Sequence, residues 1–438
     1  MRGPARRGPR RRPDPGRYGR GRGPEENRIA FAARGRARRP RGNRIFPARA
    51  AAAACQNGAA GYNGTGRLHQ QPEEAIALLP YFSGKRVLIT GHTGFKGSWL
   101  TLLLSELGAE VTGYALSPGE EPSLFSMIGA RAAARSVIGD IRDRAALLAT
   151  FRQARPEIVL HLAAQPIVRT SYREPAYTYE VNVMGTVNVL ECVRQVPGVK
   201  SFVNVTTDKV YRNLEWEWGY RETDALDGFD PYSNSKSCSE LVTHSYRRSF
   251  FGDGRVAVST ARAGNVIGGG DFAADRIVPD CVRAALARQP VPVRNPYSVR
   301  PYQHVLEPLT AYLRIAQAQA EAPALAGSYN VGPDDADCVS TGTLVGLFTE
   351  AWGEGMRWEN RAEPGAPHEA GFLKLDTGRI RQKLGWQPTW GIRRAVAETV
   401  AWAKASRDGQ DMLEVSRRQI AQFGKEQEEH ERHGDTGE

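Results

Sequence analysis

The stretch KRVLITGHTGFKGSWLTLLLSELG, residues 85–108, decides the fold. Residues 85–91 centre on a short aliphatic and β-branched run that predicts a strand, and residues 95–108 have the length and composition of a helix. Between them stand Gly91, Gly94 and Gly97. Glycine here allows a tight turn and lets the backbone approach a pyrophosphate at the positive end of the helix. A glycine trio alone is weak evidence, but its place between a strand and a helix predicts dinucleotide binding.

The same alternation of short strands and helices continues to about residue 264. Strands are expected at 110–116, 135–140, 157–164, 201–207 and 255–262, with helices between them, notably 177–195 and one that begins near Tyr232. Alternating strands and helices indicate a parallel sheet covered on both faces, the doubly wound, Rossmann-type α/β class. Residues 80–264 are therefore expected to be mainly a dinucleotide-binding domain.

Beyond residue 264 the alternation gives way to loops and short elements rich in proline and arginine. Residues 265–405 are expected to form mainly a smaller C-terminal substrate-binding lobe, packed at the carboxyl edge of the sheet where ligands of such folds bind. An amphipathic helix is expected near 391–405. Residues 406–438 are expected to be helical at first and then a solvated, frayed tail.

The head of the chain supplies its basic charge. The 438 residues carry a formal net charge of +11, and the 18 arginines, three acids and absent lysines of residues 1–70 give the head +15 and the remainder −4. The head is rich in glycine and proline and cannot offset its ordering entropy, so it is expected to be disordered. Three interpretations stay open: an RNA- or membrane-binding arm, a transit peptide, although the first serine is Ser83, and a translated upstream region with the true start near Leu68 or Leu78.

Neither a membrane span nor a secretory segment is visible in the sequence. The most apolar run, residues 99–109, is shorter than the about 18 residues that cross a bilayer. The five cysteines have no metal-ligand spacing, so no metal site is predicted: Cys55, Cys192, Cys238, Cys281 and Cys338. They are typical of reduced thiols in a cytoplasmic protein.

The cofactor preference rests on the end of the second strand. The acid expected about twenty residues after such a turn, which would hold the adenosine ribose, is missing, and Ser117 stands there instead. No arginine is present to favour a 2′-phosphate, so NAD is weakly favoured over NADP. Asp140, at the end of the third strand, is expected to contact the adenine or to serve as the N-cap of the next helix, and both roles stay open.

The segment YSNSK, residues 232–236, places Tyr232 and Lys236 on one face of a helix. A neighbouring ammonium lowers the pKa of a phenol, so Tyr232 is expected to act as a general base toward a hydroxyl of a sugar or alcohol. Following a dinucleotide-binding half, the pair predicts hydride transfer rather than a surface pair. Yet VTTDKVY, residues 205–211, adds Asp208 and Lys209 at the end of the preceding strand. Taken alone these two would be an exposed ion pair.

Seven segments together resemble one family. They are TGHTGFKGSWL, HLAAQPIVRTSYREP, VTTDKVY, DPYSNSK, RAGNVIGGGDFAADRIVPD, RNPYSVRPYQHVLEPL and LGWQPTW. They resemble the extended short-chain dehydrogenase/reductase superfamily and, within it, the CDP-glucose 4,6-dehydratases, from about residue 80 to about residue 423. One departure is Tyr302, where the family commonly has Trp; an aromatic side chain is retained, so little consequence is expected.

The resemblance implies a reaction that uses the additional acid and base. In this family Tyr232, aided by Lys236, removes the proton of the sugar 4-hydroxyl while hydride passes from C4 to NAD. Water then leaves across C5 and C6, and hydride returns to C6. By resemblance Thr207 polarises the 4-oxygen and Asp208 is the acid at C6. Lys209, where the dTDP-glucose enzymes carry Glu, would be the base at C5, which requires a lowered pKa.

Ligand contacts are assigned to the strand ends and to the smaller lobe. The cofactor is expected to contact Gly91, Thr93, Gly94, Phe95, Gly97, Asp140, Ile141, Ala163, Ala164, Gln165, Tyr232 and Lys236, with Gln165 also able to reach the sugar. Arginine forks suit a nucleotide diphosphate, and the expected substrate contacts are Asn265, Arg276, Arg294 and Arg300.

The expected substrate is CDP-glucose, with NAD as cofactor, in the cytoplasm and in the synthesis of deoxysugars for a surface polysaccharide or glycosylated metabolite. No nucleic acid is expected for the folded part, and no membrane. A homodimer or a dimer of dimers is expected, formed through the helices around 177–195 and 232–250. Two alternatives stay open: a dehydratase or epimerase for a dTDP-, GDP- or UDP-linked sugar, and a non-catalytic Rossmann protein that binds RNA through the head.

Overall fold

A seven-stranded parallel sheet lies at the centre of the computed structural model, which describes residues 80–434 without 120, 130, 131, 133 and 363–370. The strands are β1 (Arg86–Thr90), β2 (Glu110–Ala115), β3 (Ala134–Ile138), β4 (Ile158–His161), β5 (Ser201–Val205), β6 (Ala257–Ala263), β7 (Val266–Ile267), β8 (Val291–Val293), β9 (Val299–Arg300), β10 (Gln303–His304), β11 (Ser328–Val331), β12 (Val339–Ser340) and β13 (Trp358–Asn360). The large sheet has the order β11-β6-β5-β4-β1-β2-β3, and its neighbouring strands are parallel. The predicted doubly wound class is confirmed. The prediction of a disordered head concerns residues 1–70, which lie outside the described residues.

Helices cover both faces of this sheet. The helices of the described residues, including α7, α9 and α11, whose residues pack in the core of the smaller lobe, are α1 (Phe95–Glu106), α2 (Arg144–Ala154), α3 (Val168–Arg173), α4 (Pro175–Tyr179), α5 (Gly185–Gln195), α6 (Pro231–Phe250), α7 (Ile277–Leu286), α8 (Leu306–Glu321), α9 (Thr341–Trp352), α10 (Gly378–Leu384), α11 (Ile392–Arg407) and α12 (Met412–Gly434). A wider π turn, Glu180–Met184, joins α4 to α5, so the helix expected at 177–195 consists of three segments.

The strands are apolar on both sides because helices cover both faces. In β1, Val87 and Ile89 face a core shared with α1, α8 and α12, whereas Leu88 faces a core shared with α2, α5 and α6. Helix α12 contributes Leu413 and Phe423 to the first core. The expected frayed tail is therefore helical as far as α12 continues, to Gly434.

The chain reverses its direction of progress across the sheet between β1 and β4. Strand β1 pairs with β2 on one side and with β4 on the other. In open parallel sheets a ligand crevice lies at the carboxyl ends of the strands at such a switch point. The segments 91–97, 163–165 and 207–209, which the sequence assigns to the site, all follow carboxyl ends there.

The smaller lobe is built from three two-stranded pairs, β7 with β10, β9 with β12 and β8 with β13. Its core includes Val291, Phe348, Trp352 and Val396. The intervening α8 and β11 belong with the main sheet, because β11 pairs with β6. The sequence reading did not predict β11.

Candidate active site

The glycine turn between β1 and α1 has the predicted shape. Gly91 has a φ of +83°, and a Cβ on it would lie 2.8 Å from the Ala163 nitrogen. A Cβ on Gly97 would lie 2.0 Å from the Gly91 carbonyl oxygen. A Cβ on Gly94 would meet, among the described atoms within 4 Å, the Gly91 carbonyl oxygen alone, at 3.5 Å, so it would point into open space. Gly94 is also the N-cap of α1 and offers no side-chain acceptor. The first N–H groups of α1 are thereby available to a ligand, and the turn fits a dinucleotide pyrophosphate.

The turn is tied to the end of β2, where the adenosine of a dinucleotide would lie. The hydroxyl of Thr93 donates to the Leu116 carbonyl at 2.9 Å, and Leu116 and Ser117 are exposed. Phe95 is half-buried, and a Cβ on Gly268 would lie 3.2 Å from its ring. Leu116 and Ser117, which follow β2, carry no carboxylate that could replace the missing ribose acid.

Asp140, at the end of β3, is held by Arg142. Its carboxylate accepts hydrogen bonds from the Arg142 backbone nitrogen at 2.9 Å and from the guanidinium Nη2 at 2.7 Å. These hydrogen bonds lower the pKa of Asp140. The alternative role of Asp140 as a helix N-cap is wrong, because Asp143 caps α2 by accepting from two N–H groups of its first turn at 3.0 Å. Ile141 is buried, and a Cβ on Gly185 would lie 2.4 Å from its Cδ1, so Ile141 packs against α5.

His92 is a site residue that the sequence reading missed. It lies within the glycine turn and is fully buried, with Nε2 at 2.7 Å from the Ser136 hydroxyl. Its ring fills the space that a Cβ on Gly113 would occupy, at 2.2 Å from the imidazole Cγ. Burial lowers the pKa of His92 to about 4, so the imidazole is neutral near pH 7. The sequence signal that could have found His92 was its position between two glycines of the turn.

The end of β4 approaches the turn through small residues. Ala163 donates its N–H to the Thr90 hydroxyl at 3.3 Å, and Ala163 and Ala164 are half-buried. The side-chain amide of Gln165 donates to Thr178 at 2.9 Å and accepts from the Ile167 nitrogen at 2.7 Å. Both ends of its amide are thus bonded within the protein, although each keeps one further donor or acceptor, and the reach of Gln165 to the sugar stays a prediction.

The end of β5 carries the predicted acid. Asp208 is fully buried. Its Oδ1 accepts from the Thr207 hydroxyl at 2.9 Å and from the Lys209 ammonium at 3.2 Å. Its Oδ2 is buried and has no hydrogen-bond partner among the described residues. The reading of Asp208 and Lys209 as an exposed ion pair is wrong, and the free Oδ2 is the atom able to exchange a proton with a ligand. Lys209 also donates to Asn265 at 3.0 Å.

Tyr232 and Lys236 lie near the start of α6, as predicted. Asp230 caps the helix by accepting from the Ser233 nitrogen at 3.0 Å. Lys236 is buried and donates to the Val205 carbonyl at 3.0 Å, and burial lowers its pKa to about 8. The expectation of a lowered phenol pKa is wrong: burial raises the pKa of Tyr232 to about 12, although a hydrogen bond with Thr207 opposes this.

A second buried carboxylate, after Asp208, supports the end of β5: it is Glu240 of α6. Glu240 accepts from the hydroxyl of Thr206 at 2.5 Å, from that of Thr260 at 2.8 Å and from Arg262 Nη2 at 2.8 Å. Burial tends to raise the pKa of Glu240, but the Arg262 charge and these hydrogen bonds lower it overall. Because Thr206 immediately precedes Thr207, this network fixes the strand end that carries the acid. The sequence signal that could have found Glu240 was its position four residues after Lys236.

Two of the four expected substrate residues lie beside the catalytic groups. Asn265 accepts from Lys209. Arg276 pairs with Asp271 at 3.0 Å, and its charge acts to lower the pKa of Tyr232. Both residues come from the segment after β6, so the start of the smaller lobe closes the site above β5.

The other two expected substrate residues, Arg300 and Arg294, lie further into the smaller lobe. Arg300 is buried on β9 and donates to the Val299 carbonyl at 2.9 Å. Arg294 is about half exposed, with Nη2 at 3.6 Å from Asp275 and 4.0 Å from Asp280. The described contacts therefore place Arg294 in an ion-pair cluster near the start of α7. Its role as a substrate contact stays a prediction.

Tyr302 belongs to the core of the lobe. It is buried, and its hydroxyl lies 3.0 Å from the Thr341 hydroxyl.

Among the residues that the structure describes, no helix has the length and apolar character of a membrane span. In the same residues no group of three or more His, Cys, Asp or Glu side chains is placed to hold a metal ion.

Comparison with known proteins agrees with this geometry. Residues 88–399 match the family described as GDP-mannose 4,6 dehydratase. The chain is 48% identical over 349 residues to a CDP-glucose 4,6-dehydratase of Salmonella typhimurium, an alignment covering 78% of this chain and 97% of that protein. A dTDP-glucose 4,6-dehydratase of Streptomyces griseus is 29% identical over 322 residues, with coverage of 72% and 93%. The crystal structure of a dTDP-glucose 4,6-dehydratase from Streptomyces venezuelae, with NAD and TYD bound, has a TM-score of 0.62 at 26% identity and covers 75% of this chain and 99% of that one.

The doubly wound sheet, the glycine turn and the Tyr232–Lys236 pair define a short-chain dehydrogenase/reductase of the extended, nucleotide-sugar type. Within that class the chain belongs to the GDP-mannose 4,6-dehydratase family. Its 48% identity to a CDP-glucose 4,6-dehydratase confirms the resemblance seen in the sequence.

Proposed function

We propose that this chain converts CDP-D-glucose to CDP-4-keto-6-deoxy-D-glucose and water, with NAD as a cofactor that is restored in each cycle. The observation that carries the proposal is the buried Asp208, with Oδ2 unpartnered, in the same cluster as Thr207 and Tyr232. Simple hydride transfer needs no such acid, whereas elimination of water does. The nucleotide is supported by the 48% identical relative, which is named for CDP-glucose.

The first role falls to Tyr232, which takes the proton of the sugar 4-hydroxyl. Burial opposes the phenolate, so the base needs help from its surroundings. The hydrogen bond with Thr207 and the charge of Arg276 both favour the phenolate. To donate to the sugar 4-oxygen, the Thr207 hydroxyl must give up its hydrogen bond to Asp208 Oδ1, because it has a single proton to donate.

The cofactor is held by the backbone of the glycine turn, with Gly94 open to the pyrophosphate and Gly91 packed against Ala163. Bound NAD supplies the hydride acceptor for C4 and the hydride donor for C6, so the net reaction is the loss of one water. Lys236, fixed by the Val205 carbonyl, keeps a cation beside the phenol throughout.

The second role falls to Asp208 and Lys209. A ketone at C4 acidifies the hydrogen at C5, and the C6 hydroxyl leaves as water when it receives a proton. Asp208 Oδ2 is the atom free to give that proton. Transfer of one proton from the Lys209 ammonium to the Asp208 carboxylate, which it bonds at 3.2 Å, would supply both groups. Asp208 would then carry the proton that goes to the C6 hydroxyl, and Lys209, after releasing Asn265, would be the neutral amine that takes the C5 proton. We therefore assign the acid to Asp208 and propose Lys209 as the base.

The test is turnover of the full chain with CDP-, dTDP-, GDP- and UDP-glucose in separate reactions, followed by mass. Loss of one water from CDP-glucose alone supports the proposal. Water loss from another nucleotide sugar alone would keep the mechanism and overturn the nucleotide. Interconversion to the C4 epimer without water loss would instead favour an epimerase, a class that includes a UDP-glucose 4-epimerase of Thermus thermophilus with a TM-score of 0.61 and 28% identity to this chain.

A homodimer, or a dimer of dimers, is proposed through the helices around 177–195 and 232–250. Large apolar side chains are exposed there: Leu241 is 54% exposed and Met184 53%. Leu241→Asp should shift the assembly to monomer in sedimentation velocity, because a carboxylate would be buried at the contact. Leu286→Asp on α7, where the leucine is 46% exposed, is the matched control. An unchanged assembly in Leu241→Asp would contradict this interface.

The reaction is proposed to take place in the cytoplasm, within deoxysugar synthesis. The four cysteines among the described residues are free thiols, and Cys192 and Cys281 are buried, as expected in a reducing compartment.

A further inference from the structure

Lys96 places a fourth cation at the active site, and the mechanism above does not use it. It is the second residue of α1 and stands between Gly94 and Gly97. Its side chain is half-buried, and its ammonium lies 5.9 Å from the centroid of the Tyr312 ring. The Tyr312 hydroxyl is buried without a partner among the described residues. The lysine therefore points into the interior of the site rather than to solvent.

The other three cations of the site each have a protein acceptor, and Lys96 does not. Lys209 is bonded to Asp208, Lys236 to a backbone carbonyl and Arg276 to a carboxylate, all within 3.2 Å. In the described part of the chain no carboxylate is paired with Lys96. Burial and the charges of Lys236, Arg276 and Lys209 lower the pKa of Lys96 to about 7, although Asp208 opposes this. An unpaired ammonium among like charges lacks the anion that would stabilise it.

The position of Lys96 shows which anion it suits. It lies in the first turn of α1, where the free N–H groups converge beyond Gly94. A diphosphate bound there brings negative charge to a lysine that the protein leaves unpaired, and lysine binds phosphate as a point charge. We propose that Lys96 is a diphosphate-binding residue of this site, which pairs with the diphosphate of the dinucleotide or of the nucleotide sugar.

This role would also offset the missing ribose acid of β2, because a charged contact at the pyrophosphate replaces a hydrogen bond at the ribose. The inference rests on the proposed function for its two ligands, NAD and a cytidine diphosphate. Of these two ligands, the position of Lys96 in the sequence favours NAD, since the neighbouring glycines form the turn of the cofactor site.

The proposal carries a proton linkage. A bound diphosphate favours the charged ammonium and so raises the pKa of Lys96. The affinity should be highest below pH 7 and fall as the pH rises through 7 toward the raised value. At pH 7 Lys96 is about half protonated, so binding should take up about half a proton. The groups that face it are Lys236 of α6, Arg276 before α7, Asp208 and Lys209 after β5, and Tyr312 of α8.

The experiment is isothermal titration calorimetry of the full chain with NAD and, separately, with CDP, at pH 7 in two buffers of different ionisation heat. Lys96→Met should weaken one ligand by about 10- to 100-fold and abolish its proton uptake, as expected for a lost charge-assisted contact. Lys85→Met is the control, because Lys85 precedes β1 at the opposite edge of the sheet and lies over the Tyr81 ring at 5.1 Å. It should change neither quantity.

The two ligands separate the sources of the diphosphate. Weakened NAD binding assigns Lys96 to the cofactor, and weakened CDP binding assigns it to the substrate. Unchanged affinity for both, or an equal loss in Lys85→Met, overturns the role. If Lys96→Met does not fold, Lys96→Gln is measured in the same way, and unchanged affinity for both ligands in that variant also overturns the role. Turnover of the wild type on CDP-glucose tests the proposed function separately.

Discussion

Replacing Asp208 by asparagine separates the two halves of the proposed reaction. Asparagine keeps the shape of the side chain and an acceptor for the Thr207 hydroxyl and the Lys209 ammonium, which now bond Oδ1 at 2.9 and 3.2 Å. It removes the proton that the unpartnered Oδ2 would give to the leaving hydroxyl. Oxidation at C4 depends on Tyr232 and should continue, whereas water loss should slow.

The size of the effect follows from the loss of one general acid. Such a group contributes about 10²- to 10⁴-fold to a rate, or about 3–5 kcal/mol of barrier. A single-turnover experiment with CDP-glucose measures both steps, with the absorbance of reduced nicotinamide reporting oxidation and mass reporting water loss. Asp208→Asn should accumulate reduced cofactor within about 10-fold of the wild-type rate and release water about 10²- to 10⁴-fold more slowly.

The control is Asp227→Asn, the same exchange at an exposed aspartate of the loop between β5 and α6. It should change neither step. Water loss at the wild-type rate in Asp208→Asn would refute the acid role, and loss of the oxidation step would show that Asp208 acts earlier than elimination.

Four further substitutions test other parts of the site. Glu240→Gln should lower the free energy of unfolding by about 3–5 kcal/mol, because it leaves Arg262 buried without its carboxylate; a change below about 1 kcal/mol in urea unfolding followed by tryptophan fluorescence would contradict the account. Gly94→Ala should keep the fold and weaken NAD binding in calorimetry, whereas Gly97→Ala should lower the melting temperature, because its Cβ would lie 2.0 Å from a carbonyl oxygen; equal melting temperatures for the two variants would argue against this. Tyr232→Phe should slow oxidation at C4 by about 10²- to 10⁴-fold with NAD affinity retained, and reduction of the cofactor at the wild-type rate after rapid mixing would exclude Tyr232 as the base.

Local spacing predicted the parts of the site that local geometry builds. The glycines of the turn and the Tyr232–Lys236 pair depend on contacts within one strand-turn-helix or one helix, and they lie where the sequence placed them. The N-cap role of Asp140 failed for a related reason. Helix α2 begins at Arg144, directly after Asp143, and Asp143 therefore caps it in place of Asp140.

The remaining differences depend on tertiary contacts. The phenol of Tyr232 has a raised pKa because the folded chain buries it, and a helix spacing carries no information on burial. The amide of Gln165 is bonded by Thr178 of α4, a contact that the sequence does not show. Lys96 was not singled out because the absence of a partner is visible only once the whole site is assembled.

The central claim is that oxidation and reduction take place within one sugar, and isotope transfer tests it most directly. The full chain would be given CDP-glucose with deuterium at C4, mixed with unlabelled CDP-glucose, and the product would be analysed by mass and proton NMR. The account predicts that the deuterium of C4 appears at C6 of the same molecule in a 4-keto-6-deoxy sugar lacking one water. Deuterium that remains at C4, is lost to solvent or passes to unlabelled molecules would contradict it.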